Sequence, residues 1–83
     1  MAQRIKVQVM LRSVLARYRP DPQDRQPFTV ELPAGSTVRD LLASLGVPEE
    51  IARLVFVDHV RSDPAAVLRE GAAVDVFPPI AGG

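Results

Sequence analysis

The segment Ser36-Thr37-Val38-Arg39-Asp40 constrains this chain more than any other, because it fixes where a helix begins and which face that helix must bury. Thr37 at the N-cap with Asp40 three residues later fits a capping box, in which each side chain satisfies a backbone N–H of the other residue. From there Val38, Leu41, Leu42 and Leu45 fall at i, i+3, i+4 and i+7, the apolar stripe of a helix laid on a sheet. Gly46 closes the helix, and Pro48 follows it. Burying the stripe contributes on the order of 1.5–3 kcal/mol per large side chain, an upper-end figure because the unfolded chain is already partly compact. These residues are core rather than chemistry. Leu42→Ala is therefore expected to destabilise the fold without touching any active group.

A helix with one apolar face needs a sheet, and the flanking sequence supplies strands. Ile5 to Leu11 alternates, with Ile5, Val7, Val9 and Leu11 on one side and Lys6, Gln8 and Met10 on the other. Met10 is the odd member, a hydrophobe among polar neighbours on the outer face. Arg12 to Arg19 allows a helical turn or two through Val14, Leu15 and Tyr18. Pro20 to Pro27 holds three prolines and almost nothing apolar, so it reads as an exposed loop. Phe28, Val30 and Leu32 then face inward along a second strand, antiparallel to the first. Glu49 to Ala52 is a short helical turn, Leu54-Val55-Phe56-Val57 a buried strand, and Asp58-His59 a turn. Ala65 to Leu68 is a short extended or helical piece, and Gly71 is expected at positive φ. In the last strand Val74 and Val76 point one way, Asp75 and Phe77 the other. One helix on one face of a small mixed sheet is a two-layer α+β domain.

At 83 residues there is room for one domain and one core. Ten basic and ten acidic residues cancel, so no global field draws in nucleic acid or an anionic membrane; partners must be met by a local surface. Without cysteine there are no disulfides, thiol nucleophiles or thiolate metal sites. His59 is the lone histidine and has no second histidine to complete a metal set. Asp58 and Asp63 read as loop carboxylates rather than an acid–base pair. The start of the chain shows no long apolar run, so a soluble, cytoplasmic protein is expected.

The end of the chain is the segment with chemical promise. After Phe77, Pro78 and Pro79 forbid further sheet pairing, and Ile80-Ala81-Gly82-Gly83 finishes on two residues without side chains. Such a tail enters slots closed to other residues. The prolines favour extension, which lowers the entropy cost of insertion, and Pro78 to Gly83 reaches roughly 20 Å at most.

Ile5-Lys6-Val7, Leu32-Pro33-Ala34-Gly35-Ser36-Thr37-Val38, Leu41-Leu42, Val55-Phe56-Val57, Leu68-Arg69-Glu70-Gly71 and above all Val76-Phe77-Pro78-Pro79-Ile80-Ala81-Gly82-Gly83 together resemble the ubiquitin-fold sulfur carriers. Within that group the chain is similar to the molybdopterin synthase small subunit and its MoaD/ThiS-like relatives, over nearly its whole length. Phe-Pro-Pro before Gly-Gly favours the molybdopterin type over the thiamine type. The chain departs from the pattern in a longer loop over 19–26, in Asp58-His59 where the family often has Asn-Gly, and in Ala72-Ala73 where an acidic pair is common.

The resemblance implies a ubiquitin-like β-grasp over 1–77, with a mixed four- to five-stranded sheet, one main helix and a flexible, extended tail over 78–83. It implies a carrier, not an enzyme, with no cofactor of its own. A ubiquitin-activating-like adenylyltransferase would use ATP to adenylate the Gly83 carboxylate. A sulfurtransferase or cysteine desulfurase would convert the adenylate to a thiocarboxylate. The molybdopterin synthase large subunit would receive the tail, with no nucleic acid or membrane involved. Gly82, Ala81, Ile80, Pro79 and Pro78 would line the partner's channel, while Phe77, Met10 and Phe56, or Leu54 on the Phe56 face, would form the docking patch. Delivery of sulfur to a tungsten cofactor, thiamine, tRNA or an amino acid, attachment to protein lysines as a modifier, and a non-covalent ubiquitin-like interaction module stay open as alternatives.

Overall fold

The computed structural model describes residues 3–79. Five strands, β1 (Arg4–Leu11), β2 (Phe28–Pro33), β3 (Leu54–Val57), β4 (Val60–Arg61) and β5 (Ala73–Phe77), form one sheet in the order β2-β1-β5-β3-β4. β1 pairs antiparallel with β2 and parallel with β5, and β3 pairs antiparallel with both β5 and β4. One helix, α1 (Val38–Leu45), crosses a single face. This is the β-grasp arrangement that the resemblance implies.

The helix obeys its local signals. Thr37 and Asp40 form the reciprocal capping box, and the first-turn N–H groups of Val38 and Arg39 donate to the carbonyls of Ala66 and Pro64. The donors that a helix start leaves unpaired are thus satisfied, partly by capping and partly by the turn at Pro64 and Ala65 and the residue after it. At the other end Gly46 takes φ 75°, and the N–H groups of Gly46 and Val47 donate to Ala43 and Leu42 as in a Schellman motif. Val38, Leu41 and Leu42 are buried and Leu45 half-buried, so the stripe lies where its periodicity places it.

Between helix and sheet, Val7, Val9, Val74 and Val76 meet Val38, Leu41 and Leu15 in the core. Leu15 comes from the 3-10 helix Ser13–Tyr18, whose Val14 points outward at 67% exposure. Phe28 and Val30 pack on the core but stay half-buried.

Two readings need correction. Leu54–Val57 is not a buried strand: only Val55 is buried, and Leu54, Phe56 and Val57 are half-buried. The helix covers one sheet face, so an unbroken apolar run here means that the uncovered face is apolar as well, not that both are dry. The sequence reading also missed β4, because two residues carry too little alternation to register. Both residues of the β3–β4 turn have positive φ, 51° at Asp58 and 70° at His59, as a two-residue type I′ hairpin requires. An aspartate tolerates that region and a histidine does so poorly. His59→Gly should therefore raise stability by about 1 kcal/mol, read from the urea midpoint. A fall instead would mean that the imidazole makes contacts worth more than the backbone strain.

Candidate docking face and tail root

Strand alternation sends Asp75 and Phe77 to the face opposite the helix, since Val74 and Val76 occupy the covered one. Cross-strand register then builds a row. Met10 on β1 lies beside Asp75 on β5, Asp75 beside Phe56 on β3, and Phe56 beside Arg61 on β4. In the next row Phe77 lies beside Leu54. The candidate patch residues Met10, Phe56, Leu54 and Phe77 thus share one surface, each half-buried.

Aromatic and charged contacts fix their orientation. The rings of Phe56 and Phe77 meet edge to face, with centroids 5.7 Å apart and planes at 86°. A pair of this geometry is worth about 0.5–1.5 kcal/mol beyond its buried area. Arg12 donates to Asp75 Oδ1 from Nη2 at 2.7 Å and from Nε at 3.2 Å, and its guanidinium lies 5.7 Å from the Phe77 centroid. The Arg12–Asp75 pair thus stands directly beside the aromatic pair. Phe56, His59, Asp75 and Phe77 border a shallow concavity of about 300 Å³.

Alternation places Asp75 on the Phe77 side of the last strand, but the sequence does not mark Asp75, Arg12 or His59 as part of the docking patch. Arg12 and Asp75 come together only through the β1–β5 register, which no local pattern encodes. The loop carboxylates Asp58 and Asp63 serve the backbone: Asp58 accepts from the Ala73 N–H at 3.0 Å and Asp63 from the Ala65 N–H at 2.8 Å. Among the described residues no group of three or more His, Cys, Asp or Glu side chains is placed to hold a metal ion. Among the described residues no helix is long and apolar enough to cross a membrane.

β5 ends at Phe77, where the tail begins. Pro78 is half-buried and Pro79 exposed, so the chain leaves the sheet at the edge of the patch. The candidate tail residues Ile80, Ala81, Gly82 and Gly83 lie outside the described residues.

The sequence model of the ThiS family matches residues 13–83, from the first 3-10 helix through the Gly-Gly pair. No curated protein sequence matches the chain significantly. Among solved structures, the HVO 2177 protein of Haloferax volcanii superposes with a TM-score of 0.74 at 22% identity, over 96% of this chain and 88% of that one. A Pyrococcus furiosus protein assigned as molybdopterin converting factor, subunit 1, gives 0.67 at 22% identity, over 92% and 99%. SAMP1 of Haloferax volcanii gives 0.69 at 18% identity, over 94% and 99%. At these identities the three neighbours speak to the fold.

Proposed function

Because the chain belongs to the ThiS family of ubiquitin-fold sulfur carriers, we propose that it carries sulfur as a thiocarboxylate on Gly83 and delivers it in molybdopterin biosynthesis. The observation that carries this reading is the reach of the family match, which includes the whole segment from Phe77 to Gly83. A carboxylate is a poor electrophile. Adenylation by an ATP-using partner releases pyrophosphate and turns it into a mixed anhydride. The outer sulfur of a donor persulfide then displaces AMP to give an acyl disulfide, and a donor thiol attacks the donor's sulfur of that disulfide, forming a disulfide in the donor and freeing the thiocarboxylate. The resulting thiocarboxylate has a soft, nucleophilic sulfur suited to attack on an electrophilic carbon held by a second enzyme.

The chain's own part is presentation. The Phe56–Phe77 pair and Met10 offer an apolar docking surface at the root of the tail, while Pro78 and Pro79 stiffen its first steps. A partner seated on this surface would receive the segment that follows Pro79 in its own site. The molybdopterin assignment rests on Phe77-Pro78-Pro79 ahead of Gly82-Gly83, and the likeness to the Pyrococcus protein is consistent with it. The partners that this chemistry needs are an adenylyltransferase, a sulfur donor and a molybdopterin synthase large subunit.

Intact mass after incubation with an adenylating partner, ATP and a sulfur source tests the reading. A gain equal to replacing one oxygen by sulfur, localised to Gly83, supports it; an unchanged mass with several competent partners overturns it. Phe77→Ala should weaken docking by about 2 kcal/mol, roughly thirtyfold in Kd, as loss of a central aromatic contact does. Titration of the adenylating partner measures this, and an unchanged affinity would remove Phe77 from the interface.

A further inference from the structure

Arg19 is a buried cation with no anion. It is only 6% exposed, yet neither it nor Arg25 takes part in an ion pair among the described residues. Its Nη1 donates to the Met10 thioether sulfur at 3.1 Å, its Nη2 to the Gln26 carbonyl, and its Nε finds no partner. The guanidinium also lies 5.2 Å from the Phe28 ring centroid. A thioether, one carbonyl and a ring face compensate a buried charge poorly, and a guanidinium is shaped to hold a carboxylate through two parallel hydrogen bonds.

Arg19 lines a cleft of about 370 Å³ between the 3-10 helix and the long 20–27 loop, together with Met10, Arg12, Ser13, Asp24 and Arg25. Three of those side chains, Arg12, Arg19 and Arg25, are cationic; Arg12 is paired with Asp75 and Asp24 is anionic, which leaves one positive charge in the cleft unbalanced. The nearby carboxylates are already engaged: Asp24 Oδ1 accepts from the Gln26 N–H, Asp21 Oδ1 from the Gln23 N–H, and Asp75 from Arg12. Ser13 sits at the cleft wall with φ 55°, a conformation that a serine adopts at a cost and that surrounding structure must impose.

From the unpaired buried guanidinium and the surplus of positive charge around it, we infer that this cleft receives an acidic segment of the protein that docks on the outer sheet face. The two surfaces are continuous, because Met10 and Arg12 belong to both, and Arg12 lies between the cleft and Phe77. A partner covering Phe77 and Phe56 extends over Arg12 and brings its carboxylates to the exposed Arg25 at the cleft mouth, where the buried charge of Arg19 adds to the attraction. The 20–27 loop thereby becomes a specificity element: it builds one wall of a charged site beside an otherwise apolar interface.

The inference rests on the carrier reading only for the identity of the partner, so its test uses no sulfur transfer. The full-length ¹⁵N-labelled chain is titrated with a tetraglutamate peptide and, separately, with inorganic phosphate. Saturable amide shifts at Met10, Ser13 and Arg25 are expected with the peptide, and affinity should fall at least about tenfold in Arg25→Glu, as loss of a charge-assisted contact does. Arg25 is exposed, so this variant keeps the native spectrum, which Arg19→Gln need not. Absence of saturable shifts, equal affinity in Arg25→Glu, or phosphate binding as tightly as the peptide each overturns the proposal. The last of these would make the cleft a small-anion site. Failure of the mass experiment, by contrast, would leave this titration untouched.

Discussion

A chain extended by one residue after Gly83 is expected to gain no sulfur under conditions that fully charge the parent, while unfolding at the same temperature. The extension moves the carboxylate by about 3.3–3.6 Å, one residue of extended backbone, and puts an amide where the activated group belongs. Misplacement by as little as 1 Å at a reacting centre costs about a hundredfold in rate. Gly83→Ala makes the same point more gently: the carboxylate is kept, but a methyl enters a channel shaped for glycine. It too is expected to lose at least about a hundredfold in charging rate. Neither change reaches the core, which runs from Ile5 to Val76. Intact mass reads the charging and thermal denaturation the stability. Parental charging in the extended chain would defeat the proposed mechanism, whatever its effect on binding.

Leu42→Ala is expected to do the reverse. Leu42 is 2% exposed, on the helix stripe that faces the sheet, and its truncation should cost about 2–5 kcal/mol through lost transfer energy and a residual cavity. A domain of this size holds about 4–12 kcal/mol in all, so the variant sits close to its unfolding limit. Each kcal/mol lowers Tm by about 4–8 °C. The fraction that stays folded should charge Gly83 at the parental rate, because the substitution lies across the core from the docking face. A loss below about 1 kcal/mol would show that the helix does not seal the core as described.

The two predictions separate cleanly because the helix stripe and Gly83 lie far apart in the sequence. The fold was legible in the sequence where signals are local. The capping box at Thr37 and Asp40, the stripe ending at Leu45 and the left-handed Gly46 each lie within a few residues of what they determine. Alternation likewise sent Met10 and Phe77 outward. What escaped was non-local. β4 exists only because β3 is there to pair with it, and the half-burial of Leu54 and Phe56 depends on which face the helix leaves open. The Arg12–Asp75 bridge joins residues 63 positions apart. Arg19 ends the segment read as a helical turn or two, next to a loop read as exposed, and nothing local signals that the fold buries it against Met10 and Phe28.

The position of β5 has one more consequence. Of the five described strands the last in sequence, β5, is the middle strand of the sheet, and without it β2-β1 and β3-β4 are two hairpins with no hydrogen bonds joining them. Isolated hairpins are marginal in water, so the nascent chain cannot complete its sheet until the strand bearing the tail has been synthesised. Finishing the fold therefore requires its most sequence-distant pairing, β5 against β1, a slow kind of step in folding. The same step that completes the domain brings the docking residues of β1, β3 and β5 together at the root of the tail. On the proposed reading, an incompletely folded chain would present Gly83 without the surface that a partner would hold, and docking would act as a check on folding before any chemistry at Gly83.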